Sequence, residues 1–162
     1  MATPPITAST RYFDVGTTKV YFVPSVASLS APTRIEMNAG TDLSREVAEI
    51  DGWSVTSNQI QTPDFATRFV SQIAGRIEAA DSSLTFYASE NSVDVRALLP
   101  RDTDGFILWL DGGDVASNKM DVFPVTVRSV SKMRSAGSEA ARIMVSFSIT
   151  REPAENVTVP AL

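Results

Sequence analysis

The sequence predicts a mainly β protein with one convincing α-helix. Runs of β-branched and aromatic residues recur between turn signals, which is typical of short strands. The stretch Glu139–Arg151 alternates apolar with small polar side chains, and this period of two indicates a half-buried strand. About residues 92–99 combine a helical apolar stripe with a cap and a stop signal.

The N-terminal half contains two predicted strands. Lys19–Val23 is a β-branched and aromatic run that stops at a proline, which cannot continue a central strand. Trp53–Ile60 alternates loosely and is also predicted to be a strand, followed by a turn over 61–66. Between them, Gly40–Ile50 could form one or two turns of helix, because Asp42 can cap it and apolar residues fall on one side.

A long β stretch is predicted over Arg68–Ala88, with a break at Gly75. Ile77 and Ala79 are apolar at odd positions, whereas Leu84 and Phe86 are apolar at even positions. Because a strand has a period of two, this change of phase requires a bulge or bend near 81–83. Bent strands of this kind pass from one sheet to another in sandwiches and barrels.

The predicted helix over about 92–99 has Asn91 or Ser92 as its cap. Asp94 lies in the first turn, where the helix dipole favours a negative charge. Three apolar residues form one stripe, and Pro100 ends the helix.

The C-terminal third is predicted to be a large hairpin, preceded by a buried strand at Phe106–Leu110 and a turn. Its arms are Val122–Arg134 and Glu139–Arg151, and 135–138 form the tip. One face of the second arm is apolar and the other carries mainly small hydroxyl groups.

A hydroxyl-lined sheet face is usually a solvated surface, and its alternative role is the smooth lining of a channel. The candidates for such a lining are Thr126, Arg128, Ser146, Ser148 and Thr150, with the acidic residues Asp51, Asp64 and Asp81.

Both ends of the chain are predicted to be extended arms, 1–10 and 153–162, because they are rich in proline and polar residues. Such ends either fray or dock on neighbouring subunits. The candidates for contacts between subunits are Ile6, Tyr12, Trp53, Phe65, Phe69, Val157 and Val159. Trp53 has core packing as its alternative role.

The composition argues against an enzyme. The chain has no histidine and no cysteine, which excludes Ser-His-Asp triads, thiolate chemistry and the usual zinc sites. Ser129 and Lys132 match a Ser-x-x-Lys pattern, but positions three apart on a strand point to opposite faces. We therefore predict no catalytic residue, no metal and no cofactor; the rival enzyme class is a carboxylate-dependent hydrolase.

The charge bears on nucleic acids. The net charge is −5 and the pI about 4.7. Tight DNA binding requires basic residues that neutralise phosphates, so we expect DNA to slide past such a surface without sticking. No apolar stretch is long enough to span a membrane, and the N-terminus lacks a secretory signal pattern, so we expect folding in the cytoplasm.

Several stretches carry a family resemblance by their order along the chain. They are Thr7–Phe13, Ala80–Ala88, Asp94–Arg101, Gly105–Ile107 with Asp111–Gly113, and Val145–Val157. In this order they resemble phage major tail proteins, particularly those of long-tailed phages that infect actinobacteria. Related sequences often have glycine where this chain has Asp102, a departure that concerns the local loop.

The resemblance implies a β-sandwich or partly closed barrel with one packed helix, in a single tail tube domain over 1–162. Six subunits would form a ring, and stacked rings would form a non-contractile virion tail tube that passes DNA. The implied partners are a tape-measure protein and tail terminator and baseplate proteins, with assembly in the host cytoplasm. The alternative from another class is a monomeric β-sandwich binding module of the virion, such as a decoration or head–tail connector protein.

Overall fold

The computed structural model describes residues 3–162, which form ten strands and two short helices. The strands are β1 (Lys19–Val23), β2 (Thr41–Asp42), β3 (Val47–Asp51), β4 (Val55–Thr62), β5 (Ser71–Ala79), β6 (Ser82–Tyr87), β7 (Asp104–Leu110), β8 (Lys119–Met133), β9 (Arg142–Ile149) and β10 (Ala154–Thr158). The helices are α1 (Arg34–Asn38) and α2 (Val95–Leu98). The predicted mainly β class is confirmed.

One antiparallel sheet contains eight strands in the order β2-β1-β7-β8-β9-β6-β3, with β10 beside β8. β2 and β3 lie at opposite ends of this order, yet only residues 43–46 separate them in the chain. A segment of this length spans at most about 18 Å, so the sheet must curl until its two ends approach each other. The ends do not pair, and the result is a partly closed barrel.

Two apolar clusters lie on the two faces of this sheet. The main cluster lies on the inner face and contains Val20, Phe22, Leu43, Leu84, Phe86, Val95, Leu99, Ile107, Trp109, Phe123, Val125, Val127, Ile143, Val145 and Phe147. The second contains Val23, Val26, Met37, Leu108, Leu110, Met120, Val122, Val157 and Val159. Because β1, β7 and β8 are covered on both faces, their sequences are nearly continuous apolar runs.

β4 and β5 form a separate two-stranded hairpin. Gly75 and Arg76 together lie opposite Asn58, so the predicted break at Gly75 is a β-bulge within a continuous strand. The chain leaves the hairpin at 80–81 and enters β6 of the main sheet. The predicted passage between sheets near 81–83 is therefore confirmed, as are the strand at Lys19–Val23 and the large C-terminal hairpin of β8 and β9.

The predicted helix over 92–99 is shorter than expected. α2 is capped by Asp94, whose carboxylate accepts from the backbone N–H of Arg96 at 3.1 Å. The predicted caps Asn91 and Ser92 are wrong, because the left-handed backbone of Ser92 (φ 60°) turns the chain before the helix begins. Among residues 3–162, neither helix is long or apolar enough to cross a membrane.

The predicted helix at Gly40–Ile50 is wrong, since this segment forms β2, a turn and β3. Asp42 accepts from the backbone N–H of Ser44 at 2.9 Å and so stabilises a turn instead of capping a helix. A helix that was not predicted, α1, begins just before this segment. Thr33 caps it, and Thr33 and Glu36 form a reciprocal capping box.

The C-terminal segment predicted as an arm packs on its own subunit. β10 pairs with β8, and Arg34 holds the carbonyl oxygen of Pro160 at 2.7 Å. The reason is apolar burial: the chain alternates through this segment, and its valine side chains complete the second cluster. By contrast, residues 3–13 of the N-terminal segment have neither helix nor strand and are exposed.

Candidate assembly surfaces

One face of the main sheet carries small polar side chains in rows that run across the strands. One row contains Asp51, Ser83, Ser146 and Ser129, each paired with the next. The neighbouring row contains Asp104, Thr126 and Ser148. Because β9 alternates strictly, these groups lie on the face of the sheet opposite the main cluster, and short side chains line that face.

Most of the predicted lining residues lie on or beside this polar face. Thr150 continues the parity of Ser148 just past the end of β9, and Arg128 reaches across to Asp81 with a distance of 3.1 Å between guanidinium and carboxylate. Asp64 does not lie there. It belongs to the tip of the β4–β5 hairpin, which is a separate two-stranded sheet.

Sequence reasoning missed several members of the polar face, among them Ser83, Ser129 and Asp104. The signal for Ser83 was present, since Leu84 and Phe86 are apolar at even positions and Ser83 therefore points the other way. The signal for Ser129 was hidden by a register shift in β8 between residues 127 and 129, which moves the parity of the strand.

Arginines on this face are balanced by acids. Arg128 pairs with Asp81, and Arg142 pairs with Glu49 at 2.5 Å. A guanidinium that already holds a carboxylate offers little net positive field to a phosphate. The face is therefore polar and smooth without being strongly basic.

The β4–β5 hairpin is exposed along nearly its whole length. Its apolar side chains Ile60, Ile73 and Ile77 are each about half exposed to solvent. A two-stranded hairpin is only marginally stable in water without a surface to cover it. These isoleucines and the unpaired outer edges of both strands therefore form a surface suited to contact with another chain.

The hairpin tip, residues 63–70, presents two phenylalanines outward. Phe65 is fully exposed and Phe69 is 78% exposed. The tip is nevertheless held by its own hydrogen bonds, since Asp64 Oδ1 accepts from the backbone N–H groups of Ala66 and Thr67 at 2.7 and 2.9 Å. Both phenylalanines are therefore exposed on an ordered turn. Their role as contacts between subunits stays a prediction.

A strained corner at Gly52 and Trp53 joins β3 to the hairpin. Both residues have left-handed backbones, with φ of 81° and 62°. A Cβ atom on Gly52 would lie 2.2 Å from the carbonyl oxygen of Asp81. The backbone N–H of Trp53 donates to Ser82 Oγ at 3.0 Å, and its indole N–H donates to the carbonyl oxygen of Ser83 at 3.1 Å. The corner thus fixes the base of the hairpin against β6.

The Trp109 cleft, as we call it, lies beside this corner. It consists of two adjoining cavities of about 300 and 150 Å³ that share Ile50, Trp109 and Asp111. Trp53 forms part of the wall and packs edge-on against Trp109, with ring centroids 5.5 Å apart. Asp121 also lines the smaller cavity. The cleft lies in the gap between β1 and β3, where the curled sheet fails to close.

The polar groups of the Trp109 cleft are poorly matched within the subunit. Trp109 is only 8% exposed, and its indole N–H finds no acceptor among the described residues. Burial, together with the nearby carboxylates Asp121 and Asp14, raises the pKa of Asp111. The aromatic wall of the cleft therefore contains a buried indole N–H without a partner among the described residues. The carboxylates beside this wall give the cleft an excess of negative charge.

Within residues 3–162, His, Cys, Asp and Glu side chains nowhere converge in groups of three or more that could hold a metal ion. The surfaces described above offer apolar contact, hydrogen bonding and charge.

The remaining candidates for contacts between subunits have different locations. Ile6 and Tyr12 are exposed in the N-terminal segment, and Trp53 is half-buried against its own core. The prediction that Val157 and Val159 face other subunits is corrected, because they are 7% and 1% exposed within the second cluster. Their side chains pack inside the second cluster of their own chain instead of facing outward.

The exposed apolar hairpin and the polar sheet face are surfaces suited to contact with other chains. The family model for phage tail tube proteins matches residues 6–162, and the chain belongs to this family. No curated protein matches the chain.

Two solved structures have the same fold. One is a chain of the six-fold symmetrised anti-feeding prophage baseplate, 11% identical with a TM-score of 0.54, which covers 95% of this chain and 96% of that one. The other is a chain of the anti-feeding prophage cap, the tube terminating cap, 11% identical with a TM-score of 0.56, covering 93% and 96%. At this identity the likeness concerns the fold alone.

Proposed function

We propose that this chain is the repeating subunit of a virion tail tube, in which six copies form a ring and rings stack around a channel. The observation that carries the proposal is the exposed β4–β5 hairpin of a tail tube family member. Its half-exposed isoleucines and fully exposed tip need a covering surface. Neighbouring copies supply such a surface in a regular tube, and they also cover the free strand edges.

The polar face of the main sheet faces the channel in this arrangement. Its hydroxyl rows resist sticking, because short neutral side chains make few lasting contacts with a passing polymer. The balanced arginines Arg128 and Arg142 and the net charge of −5 give phosphates no basic track to bind. DNA therefore passes without tight binding during ejection.

The rest of the proposal follows from the family. The chain acts as one tail tube domain without catalytic activity, assembled in the host cytoplasm around a tape-measure protein. Tail terminator and baseplate proteins contact its ends. A non-contractile tail and an actinobacterial host are further expectations from the sequence resemblance.

Negative-stain electron microscopy across a concentration series tests the proposal. We expect rings or tubes with a central hole from the wild-type protein and their loss from the double variant Phe65→Ser, Phe69→Ser. The control is Val93→Ser, because Val93 is also strongly exposed, at 81%, but lies outside the hairpin. Deletion of residues 1–10 tests the N-terminal segment in the same assay.

Monodisperse small particles from the wild type at every concentration, also with a tape-measure protein present, would favour the monomeric binding module. If the double variant still forms rings, the hairpin tip is not part of the interface, and the tube proposal stands. Circular dichroism of each variant establishes that the fold is unchanged.

A further inference from the structure

Arg68 follows Phe65 and directly precedes Phe69 in the sequence of the hairpin tip, and all three residues are exposed. The tip therefore combines the guanidinium of Arg68 with apolar aromatic surface, while Asp64 Oδ1 is occupied by the backbone N–H groups of Ala66 and Thr67. Its backbone is held by Asp64, and the hydroxyl of Thr67 donates to the carbonyl oxygen of Phe69 at 2.8 Å. A surface that is already ordered loses little conformational entropy when it binds.

The Trp109 cleft has the complementary character. Its wall is aromatic, and the carboxylates of Asp111 and Asp121 are close enough to each other to raise the pKa of Asp111. A guanidinium between these carboxylates would relieve their mutual repulsion.

A tip cannot occupy the cleft of its own subunit. The hairpin begins at Val55, two residues after Trp53 of the cleft wall, and its strands carry the tip about 26 Å away from that point. The full exposure of Phe65 agrees with this distance. The occupant must therefore come from a second copy of the chain.

We infer that the hairpin tip of one subunit docks in the Trp109 cleft of another, with Arg68 between the carboxylates of Asp111 and Asp121. The inference rests on the proposed function and names the contact by which copies hold each other. Phe65 and Phe69 cover the apolar wall beside Ile50, and the guanidinium neutralises the acidic group.

Arg11 is another exposed arginine with aromatic residues beside it in the sequence. Arg11 precedes Tyr12 and Phe13 in the exposed N-terminal segment, three positions before Asp14 of the cleft wall. This segment has neither helix nor strand, so its docking would require ordering of the chain. The preorganised hairpin tip is the better occupant, and Arg11 becomes a variant in the test.

Charge exchange in the full-length protein tests the contact. The variants are Arg68→Glu, Asp111→Arg and the double variant, with Arg134→Glu as the control from the exposed loop of the other hairpin. Asp111 is chosen because Asp121 Oδ1 already accepts from the backbone N–H of Asn156 at 2.7 Å, which supports β10. Self-association is followed by analytical ultracentrifugation. Tryptophan emission is a second readout, since both tryptophans of the chain line the cleft.

We expect each single exchange to raise the concentration for half-association by at least about tenfold. The double variant should return to within about threefold of the wild type, because the attraction is restored with reversed signs. Tryptophan emission should change in step with association in the wild type and the double variant. Arg134→Glu should behave as the wild type.

Other results overturn the inference in distinguishable ways. If the wild type forms tubes and Arg68→Glu does so equally well, the docking contact is wrong and the proposed function stands. If Arg11→Glu, and not Arg68→Glu, is rescued by Asp111→Arg, the N-terminal segment is the occupant. If the wild type never associates, also with a tape-measure protein present, the inference and the proposed function fail together.

Discussion

Arg34 Nη1 donates to both carboxylate oxygens of Asp114, at 2.8 and 2.9 Å, across 80 positions of sequence. The other end of the guanidinium donates to the carbonyl oxygen of Pro160 at 2.7 Å. Tyr21 Oη donates to the same carboxylate at 3.1 Å. One arginine thus joins α1, the turn after β7 and the C-terminal segment over the second apolar cluster.

Replacing Arg34 by alanine should lower the free energy of unfolding by about 2–4 kcal/mol, because it leaves a partly buried carboxylate and a carbonyl oxygen without a donor. The side chain of Arg34 is only 12% exposed. Arg128→Ala is the control, since its ion pair with Asp81 is exposed and should matter by less than about 1 kcal/mol. Urea unfolding measures both; equal losses would contradict the assigned role of Arg34.

Tyr21 predicts a specific loss of stability in alkali. Burial raises the pKa of Tyr21 from 10.0 to about 12, and the Asp114 carboxylate adds to the shift. Since the pKa is higher in the folded protein than in the unfolded chain, this stability is fully present below pH 10 and is lost as the pH rises towards 12. Between these values the wild type should lose stability more steeply than Tyr21→Phe. Parallel pH profiles for the two proteins would disprove the shift.

Two glycines with the same backbone conformation separate strain from steric clash. Gly16 and Gly52 have φ of 88° and 81°, but a Cβ atom meets nothing within 4 Å at Gly16 and meets the backbone of Asp81 at Gly52. We expect Gly16→Ala to cost about 1 kcal/mol and Gly52→Ala about 3 kcal/mol or more. Thermal unfolding measures both changes. Similar costs would show that the corner at Gly52 can relax.

The C-terminal segment can be tested as part of the core. Val159 is 1% exposed, so Val159→Ala should lower the free energy of unfolding by about 2 kcal/mol. Val93→Ala removes the same atoms from an 81% exposed side chain and should change it by less than about 0.5 kcal/mol. If the C-terminal segment were an arm that does not pack in its own core, Val159→Ala and Val93→Ala would change the free energy of unfolding equally.

Local sequence patterns were sufficient where a strand is decided by its own residues. Lys19–Val23 has the same bounds in the structure, because a lysine is followed by four β-branched or aromatic residues and then by a proline. The change of phase before β6 was also readable, since Ile77 and Ala79 are apolar at odd positions and the next apolar pair, Leu84 and Phe86, at even positions. Both signals are local, and neither requires knowledge of a distant partner.

The errors arose where a distant partner decides the structure. Gly40–Ile50 has a weak helical pattern, but pairing with β1 and β6 extends it into strands. Val157 and Val159 lie in a proline-flanked polar segment, and only the position of β8 and α1 makes them core residues. The Trp109 cleft could not be predicted, because its walls come from β3, β7 and β8 and depend on how far the sheet curls.

The hairpin tip and the Trp109 cleft are different surfaces of the same subunit. When two copies meet through unlike surfaces, the pair still has one free tip and one free cleft, so further copies can add. Under the proposed docking, a row of subunits therefore has a direction, with tips at one end and clefts at the other. The two ends are chemically unlike, and a protein that stops growth at one end cannot do so at the other.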